Sequence, residues 1–287
     1  MKIDLHIHSS TGSDGNLTIE DIFKEAKNRN IGCLSITDHD SIEYQSKAIT
    51  LSKKSGILYV SGVELNVTFL SSNGKSTSLD FLGYNFNVNN RELIDKLNIV
   101  KRHRVERARQ ILDKLNLEFA KDDIVKFGET DLKNIEDTVD GTFGRPHIAN
   151  YLVKKGIVNN KQEAFDKYLV KCDVPKYPLS LSEASNLIRN ANGKLILAHP
   201  DDYNGTSLRS LTTSLEEQGQ IIKENMLKYI DGIECWHSRH NIKTIDYYIE
   251  FTRTNNLIKT GGSDCHQKPI IMGTLDIPYN LYEQFNI

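Results

Sequence analysis

The chain has 287 residues, 38% hydrophobic and 26% charged, with 36 basic and 38 acidic residues and a net charge of −2. This length buries enough surface to fold as one large domain, or a domain with a smaller insertion, without a disulfide or structural-metal staple. Balanced charge excludes a uniformly basic nucleic-acid coat, and no apolar run approaches the ~20 residues of a membrane span.

The N-terminus, MKIDLHIHSS, has no long apolar core and no small-residue cleavage site. A secretory leader is therefore not expected. Cys33, Cys172, Cys235 and Cys265 show no C-x-x-C spacing, so they read as free thiols of a cytoplasmic protein.

In chain order, Lys2–Ile7 is a predicted strand and Thr18–Asn30 a helix, with Thr18 and Asp21 spaced as a capping box. Ile31–Thr37 and Glu43–Ser55 repeat that strand–helix pair. Ile57–Val67 and Ser78–Tyr84 are the third and fourth strands. Lys194–Ala198, Ile230–Trp236 and Leu257–Gly261 follow as further strands, and helical patterns at Ser180–Asn192 and Asn241–Asn255 precede two of them. Strands separated by 10–15-residue helices predict crossover connections and a parallel sheet. Between about 87 and 177 the rhythm changes to helical patterns at Arg91–Asn116, Thr142–Lys155 and Lys161–Val170. This reads as a helical insertion, which divides the chain into a main unit of 1–86 and 178–287 and a cap of 87–177. Thr206–Lys228 reads as polar and helical, with Gly219 as a weak point.

Residues able to hold a metal gather at the expected strand ends. His6 and His8 form an H-x-H; two apart on a strand, they face one way with Cα atoms roughly 6.6 Å apart and can converge on one cation. Asp14 lies in a Ser/Thr/Gly turn, where an Asx-turn is the ordinary role. Thr37-Asp38-His39-Asp40 ends the second strand. Glu64 sits inside an apolar stretch, where a lone carboxylate needs a partner or a metal. Asp80 precedes Phe-Leu-Gly-Tyr, and His199, Asp264 and His266 follow later strands. Singly each has an ordinary explanation. Together they occupy the ends that share one face in an α/β barrel.

The motifs Asp4-Leu5-His6-Ile7-His8-Ser9, Ser13-Asp14-Gly15, Thr37-Asp38-His39-Asp40, Gly62-Val63-Glu64, Ala198-His199-Pro200 and Gly262-Ser263-Asp264-Cys265-His266 resemble, in order, those of the PHP (polymerase and histidinol phosphatase) metal-dependent phosphoesterases. Gly144-Arg145-Pro146-His147-Ile148-Ala149 and Arg104-Val105-Glu106-Arg107-Ala108-Arg109 are similar to one branch, which acts on nucleoside bisphosphates, mononucleotides and 5′ ends of short RNA. The resemblance implies a distorted seven-stranded (β/α) TIM-like barrel, the PHP fold, with a trinuclear site for Mn, Fe or Zn. It places His6, His8, Glu64 and Asp264 on a first ion, Asp14, His39 and His266 on a second, and Glu64, Asp80 and His199 on a third. Asp80 departs from the branch, which usually has His there; an oxygen ligand makes the site harder and less zinc-like. Three divalent ions against Asp14, Glu64, Asp80 and Asp264 leave about +2, suited to a phosphate dianion.

Arg104 and Arg107, one helical turn apart, together with Arg145 and His147 at an apparent helix start, are candidates for gripping a second phosphate. His240 is a further candidate contact, with a structural role equally open. The expected function is hydrolysis of nucleotide phosphomonoesters, a nucleoside 3′,5′-bisphosphate or an AMP-like substrate, by metal-activated water. The rivals are 5′–3′ exoribonuclease action on short 5′-phosphorylated RNA, a histidinol-phosphatase-like enzyme, and a degenerate metal-binding module without activity. The expected partner is a small nucleotide phosphate or short RNA, with no membrane and no obligate protein partner.

Overall fold

The computed structural model describes residues 1–71, 74, 76–136 and 144–286. It is a mixed α/β fold. The strands are β1 (Lys2–Ile7), β2 (Ile31–Ile36), β3 (Leu58–Tyr59), β4 (Gly62–Leu70), β5 (Ser76–Tyr84), β6 (Lys194–Leu197), β7 (Gly232–His237) and β8 (Ile258–Gly262). β1, β2 and β3 form a parallel three-stranded sheet, and β4 to β8 a five-stranded sheet in sequence order. Among the described residues two isolated bridges join the sheets. Beyond β1 and β8, Ile7 and Cys265 form a parallel bridge, with the Asp264 N–H donating to the His6 carbonyl at 2.8 Å. Beyond β2, His39 bridges to Glu64 of β4.

The expectation of a parallel sheet is corrected at β5, which runs antiparallel to both β4 and β6. Only five residues separate β4 from β5, too few for a crossover, so they pair as a hairpin. Glu64 therefore sits near the start of a strand running on to Leu70, and Asp80 sits in mid-strand rather than at a parallel strand's end.

The expected helices form, mostly two or three residues shorter. α1 (Ile19–Asn28) is capped by Thr18, whose hydroxyl accepts the Asp21 N–H. α2 (Gln45–Ser55), α7 (Leu181–Asn190) and α9 (Ile242–Thr254) cover the sheets. α3 (Arg91–Phe119) is three residues longer than expected, and α4 (Glu129–Glu136) has no counterpart in the sequence reading. α5 (Arg145–Lys154) follows Gly144; the earlier start expected at Thr142 lies outside the described residues. The pattern at Lys161–Val170 divides into α6 (Lys161–Ala164) and a π-turn over Phe165–Leu169. In Thr206–Lys228 only Leu215–Asn225 is α-helical (α8), after a 3-10 turn at Leu208–Ser210. Gly219 lies inside α8, where an added Cβ would come 2.1 Å from the Tyr247 hydroxyl. A side chain there would have to displace the Tyr247 ring on the facing helix α9.

Ile3 and Leu5 of β1, Cys33 of β2, Leu82 of β5 and Ile196 of β6 pack into one apolar cluster, so strands of both sheets share a core. A separate cluster runs from Ala108 to Val174 and draws on α3, α4, α5 and the π-turn. Leu93 and Leu97, early in α3, belong instead to the core around β4 and β5. The long helix thus anchors the helical segment in the main core.

Candidate metal centre

β1 delivers His6 and His8 to one face, as alternation requires. The His6 Nε2 atom lies 3.1 Å from His8 Nε2, 3.3 Å from Asp264 and 3.5 Å from Glu64. Ligands at about 2.1 Å from a common ion sit about 3.0–3.4 Å apart in octahedral or tetrahedral geometry. Glu64 lies at the centre, 3.2 Å from His8, 2.9 Å from His39 Nδ1 and 3.1 Å from His199 Nε2.

The turn carrying Asp14 is shaped by Asp38, whose carboxylate accepts the Ser9 N–H at 2.7 Å and the Ser9 hydroxyl at 2.8 Å. Gly12 lies so close that a Cβ would meet the Asp38 carboxylate. Asp38 is thus a scaffold for the turn, and burial pushes its carboxyl up to about 6. Asp14 comes within 3.4 Å of His266 and 3.9 Å of His39.

Donor atoms fall into four groups among the described residues: His8, Asp14, His39 and His266; His6, Glu64 and His199; His6, His8 and Asp264; Asp202, His237 and Asp264. Eight of the nine expected ligands are brought together, with sharing that differs from the expected sets: His8 also joins the Asp14 group, and His6 the Glu64–His199 group. Asp80 falls in none. It faces the site across the hairpin, since it pairs with Asn66, two residues from Glu64. Its two oxygens are taken by Asn66 Nδ2 at 2.5 Å and by the Thr206 hydroxyl.

Electrostatics bind the cluster. Burial would raise the Asp14, Glu64 and Asp264 carboxyls, but the surrounding histidines hold all three well below the usual range. Burial would lower His39 and His199, yet the adjoining carboxylates, Glu64 foremost, lift both to about 9. Burial and the neighbouring Glu64 push the Asp80 carboxyl up. Among the described residues, the buried Nδ1 atoms of His8 and His199 have no hydrogen-bond partner, and no cysteine joins any group. This imidazole and carboxylate set, with donors spaced as ligands of shared ions, fits Mn²⁺, Fe²⁺ or Zn²⁺.

A cavity of about 360 Å³ opens over this floor, with Arg104, Arg107, Arg145, His147 and Lys176 among its lining. Arg104 pairs with Asp40. Arg107 and Arg145 converge on Asp173, at 2.5 and 3.0 Å. Arg107 is 7% exposed and also donates to the Val174 carbonyl at 2.5 Å, so its first duty is to the fold. His147 caps α5 by accepting the Gly144 N–H at 3.2 Å. His240 does not line the cavity. Its Nδ1 donates to the Cys235 carbonyl at 2.9 Å and its Nε2 accepts the Asp201 N–H at 3.4 Å, leaving neither nitrogen for substrate. The reading of His240 as a phosphate contact is corrected to a structural one.

Sequence reasoning missed Lys176, Asp202 and Glu234; it expected the segment that holds His237 and Arg239 to reach the active face, without giving either residue a role. Arg239 bonds Asp202 and lies 3.5 Å from Asp264. Glu234, inside the apolar strand β7, carried the same signal that singled out Glu64.

The sequence profile described as "PHP domain" matches residues 4–120. A 5′–3′ exoribonuclease from Haemophilus influenzae is 32% identical over 216 residues, 71% of each chain. The chain belongs to the PHP family. As a PHP protein it is an enzyme, a phosphoric ester hydrolase of a metal-dependent family. Among its relatives, a 3′,5′-nucleoside bisphosphate phosphatase from Chromobacterium violaceum is 28% identical, covering 92% of this chain and 87% of that one. An amidohydrolase from the same organism, solved with bound sulfate and no metal, superposes with a TM-score of 0.79 at 26% identity over 100% of this chain and 96% of that one. No helix among the described residues is long and apolar enough to cross a membrane.

Proposed function

We propose that this PHP protein hydrolyses phosphomonoesters of nucleotides, with a nucleoside 3′,5′-bisphosphate or an AMP-like mononucleotide as substrate. The observation that carries the reading is the shared cavity: the histidine–carboxylate floor and the cationic walls of Arg104, Arg145 and Lys176 face one space. The bisphosphate phosphatase among the relatives supports it over nearly the whole chain.

His6, His8, Asp14, His39, Glu64, His199, Asp264 and His266 would hold the divalent cations, three by the family resemblance, with Asp80 beside the third. Bound there, such cations polarise phosphoryl oxygens and lower the pKa of a water. The chain's own groups orient the substrate. Arg145, fixed against Phe165 and Asp173, offers its planar fork to a second phosphate. Lys176 adds a point charge nearby. We read the two bridged sheets as a distorted barrel, 1–86 and 178–287, with eight strands where seven were expected because Ile57–Val67 divides into the two-residue β3 and the start of β4, and with 87–177 as a cap whose α3 and α5 supply the arginines.

A second reading, 5′–3′ exoribonuclease action, draws on a further cavity of about 700 Å³ that shares Asp14, Asp264 and His266 and carries Lys161 and Lys268. A longer chain would have room there. The deciding experiment is phosphate or nucleotide release with Mn²⁺ from a 3′,5′-bisphosphate, AMP, histidinol phosphate, an aryl phosphate and a short 5′-phosphorylated RNA. The bisphosphate should show the highest kcat/KM. A preference for histidinol phosphate, or equal rates on the aryl phosphate, would overturn the assignment.

A further inference from the structure

Glu234 stands in the middle of β7 with 0% exposure. One carboxylate oxygen lies 2.9 Å from His6 Nδ1, and the other accepts the His199 N–H at 2.8 Å. It belongs to none of the groups of converging donor atoms among the described residues. Its carboxylate therefore sits behind the ligands and touches two of them, His6 on β1 and His199 in the loop after β6.

We propose that Glu234 is a positioning residue of the metal centre: it fixes the proton and orientation of His6 and the backbone of His199, so that both present Nε2 to the same side. The inference rests on the reading of those histidines as cation ligands. A carboxylate at Nδ1 keeps the ring proton on that nitrogen and leaves the lone pair on Nε2, the atom facing His8, Glu64 and Asp264. His199 needs a different restraint. Its φ is +24°, outside the regions a side-chain-bearing residue ordinarily adopts, and Pro200 after it narrows its choices further. Such a backbone persists only where its surroundings over-determine it. The bond from its N–H to Glu234 is one such restraint. The two imidazoles lie stacked, with centroids 5.7 Å apart and planes 19° off parallel, so a single carboxylate sets the spacing of both.

A merely structural buried ion pair would support the fold and leave cation binding alone, so the test separates the two. Glu234→Gln keeps an acceptor for His6 but turns an amide donor toward the His199 N–H; Glu234→Ala removes both bonds. Mn²⁺ and Zn²⁺ affinity of each, measured by competition with a chelating dye, should fall about 10- to 100-fold, Ala more than Gln. Thermal melting of the metal-stripped proteins monitors the fold separately. Wild-type affinity in both variants, whatever their melting temperatures, would overturn the positioning role while leaving the metal centre intact. A wild-type protein that takes up no divalent cation would instead contradict the metal reading itself. Should both variants fail to fold, ¹⁵N-histidine NMR of the Zn²⁺-loaded wild type decides. His6 should carry its proton on Nδ1 and ligate through Nε2; ligation through Nδ1 would overturn the proposal.

Discussion

At the residue scale, function concentrates in side chains whose burial would be costly without partners. Glu64 was legible in the sequence because a lone carboxylate in an apolar run must be paired, and it now sits 3.5 Å or less from His6, His8, His39 and His199. Glu234 obeyed the same rule and escaped notice, because no ligand motif flanks it. Asp80, also expected among the ligands, lines the cavity with Asn66 and Thr206 hydrogen-bonded to its oxygens; one-dimensional spacing cannot show such neighbours. Two outcomes follow. Elemental analysis of His39→Ala and of Asp264→Asn should show at least one fewer bound ion than wild type, with nearly all activity lost. Full activity in either would remove that residue from the centre. The arginines should separate. Arg145→Ala should cost about 1.5–3 kcal/mol of transition-state binding, roughly 10- to 150-fold in kcat/KM, on a bisphosphate and far less on an aryl phosphate. Arg107→Ala should chiefly lower the melting temperature, since it leaves the Val174 carbonyl without this donor and Asp173 with Arg145 as its remaining arginine, at about 1–3 kcal/mol. Equal losses on both substrates for Arg145→Ala would make it a residue of the fold.

At the element scale, strand and helix periodicity was legible almost everywhere that an element buries one face. β1 and α1 lie where alternation and the Thr18 cap place them. The direction of β5 was not legible from periodicity, which is blind to whether a strand runs up or down. α4 is short, with only Leu132 and Ile135 buried, too few to set a pattern. The corner after β7 shows how an element end can mimic a site. His240 follows a strand, as the ligands do, but packs behind the wall. Burial first, and then the charge of His237, push its pKa down to about 4. Because the unfolded ring takes its proton near 6.5, this stability contribution is full above 6.5 and declines as pH falls toward 4. Urea unfolding of the metal-stripped wild type and of His240→Gln should differ by about 1 kcal/mol less at pH 5.5 than at pH 7.5. A pH-independent difference would mean that His240 titrates normally.

At the scale of the whole molecule, the centre exists only where separate parts meet. β1, β4, the loop after β6 and the end of β8 supply the floor, and the bridges at Ile7–Cys265 and His39–Glu64 bring the two sheets together around it. The helical segment has its own core yet lends Arg104 and Arg145 to the same cavity. The family motifs made the floor legible because each is local in sequence. The walls were less legible, because whether an arginine faces substrate or an aspartate is decided by tertiary packing. Lys176 illustrates this: nothing in its flanking sequence marks it, and only the fold sets it near Asp80 and Arg104. The account stands on dependence of the chemistry on bound cations. The most direct measurement is phosphate release from a 3′,5′-bisphosphate by chelator-stripped protein titrated with Mn²⁺, with bound metal counted at each step. Stripped protein should be inactive, and activity should return as cations refill the centre and saturate when uptake does. Undiminished activity in protein shown to be free of metal would contradict the account.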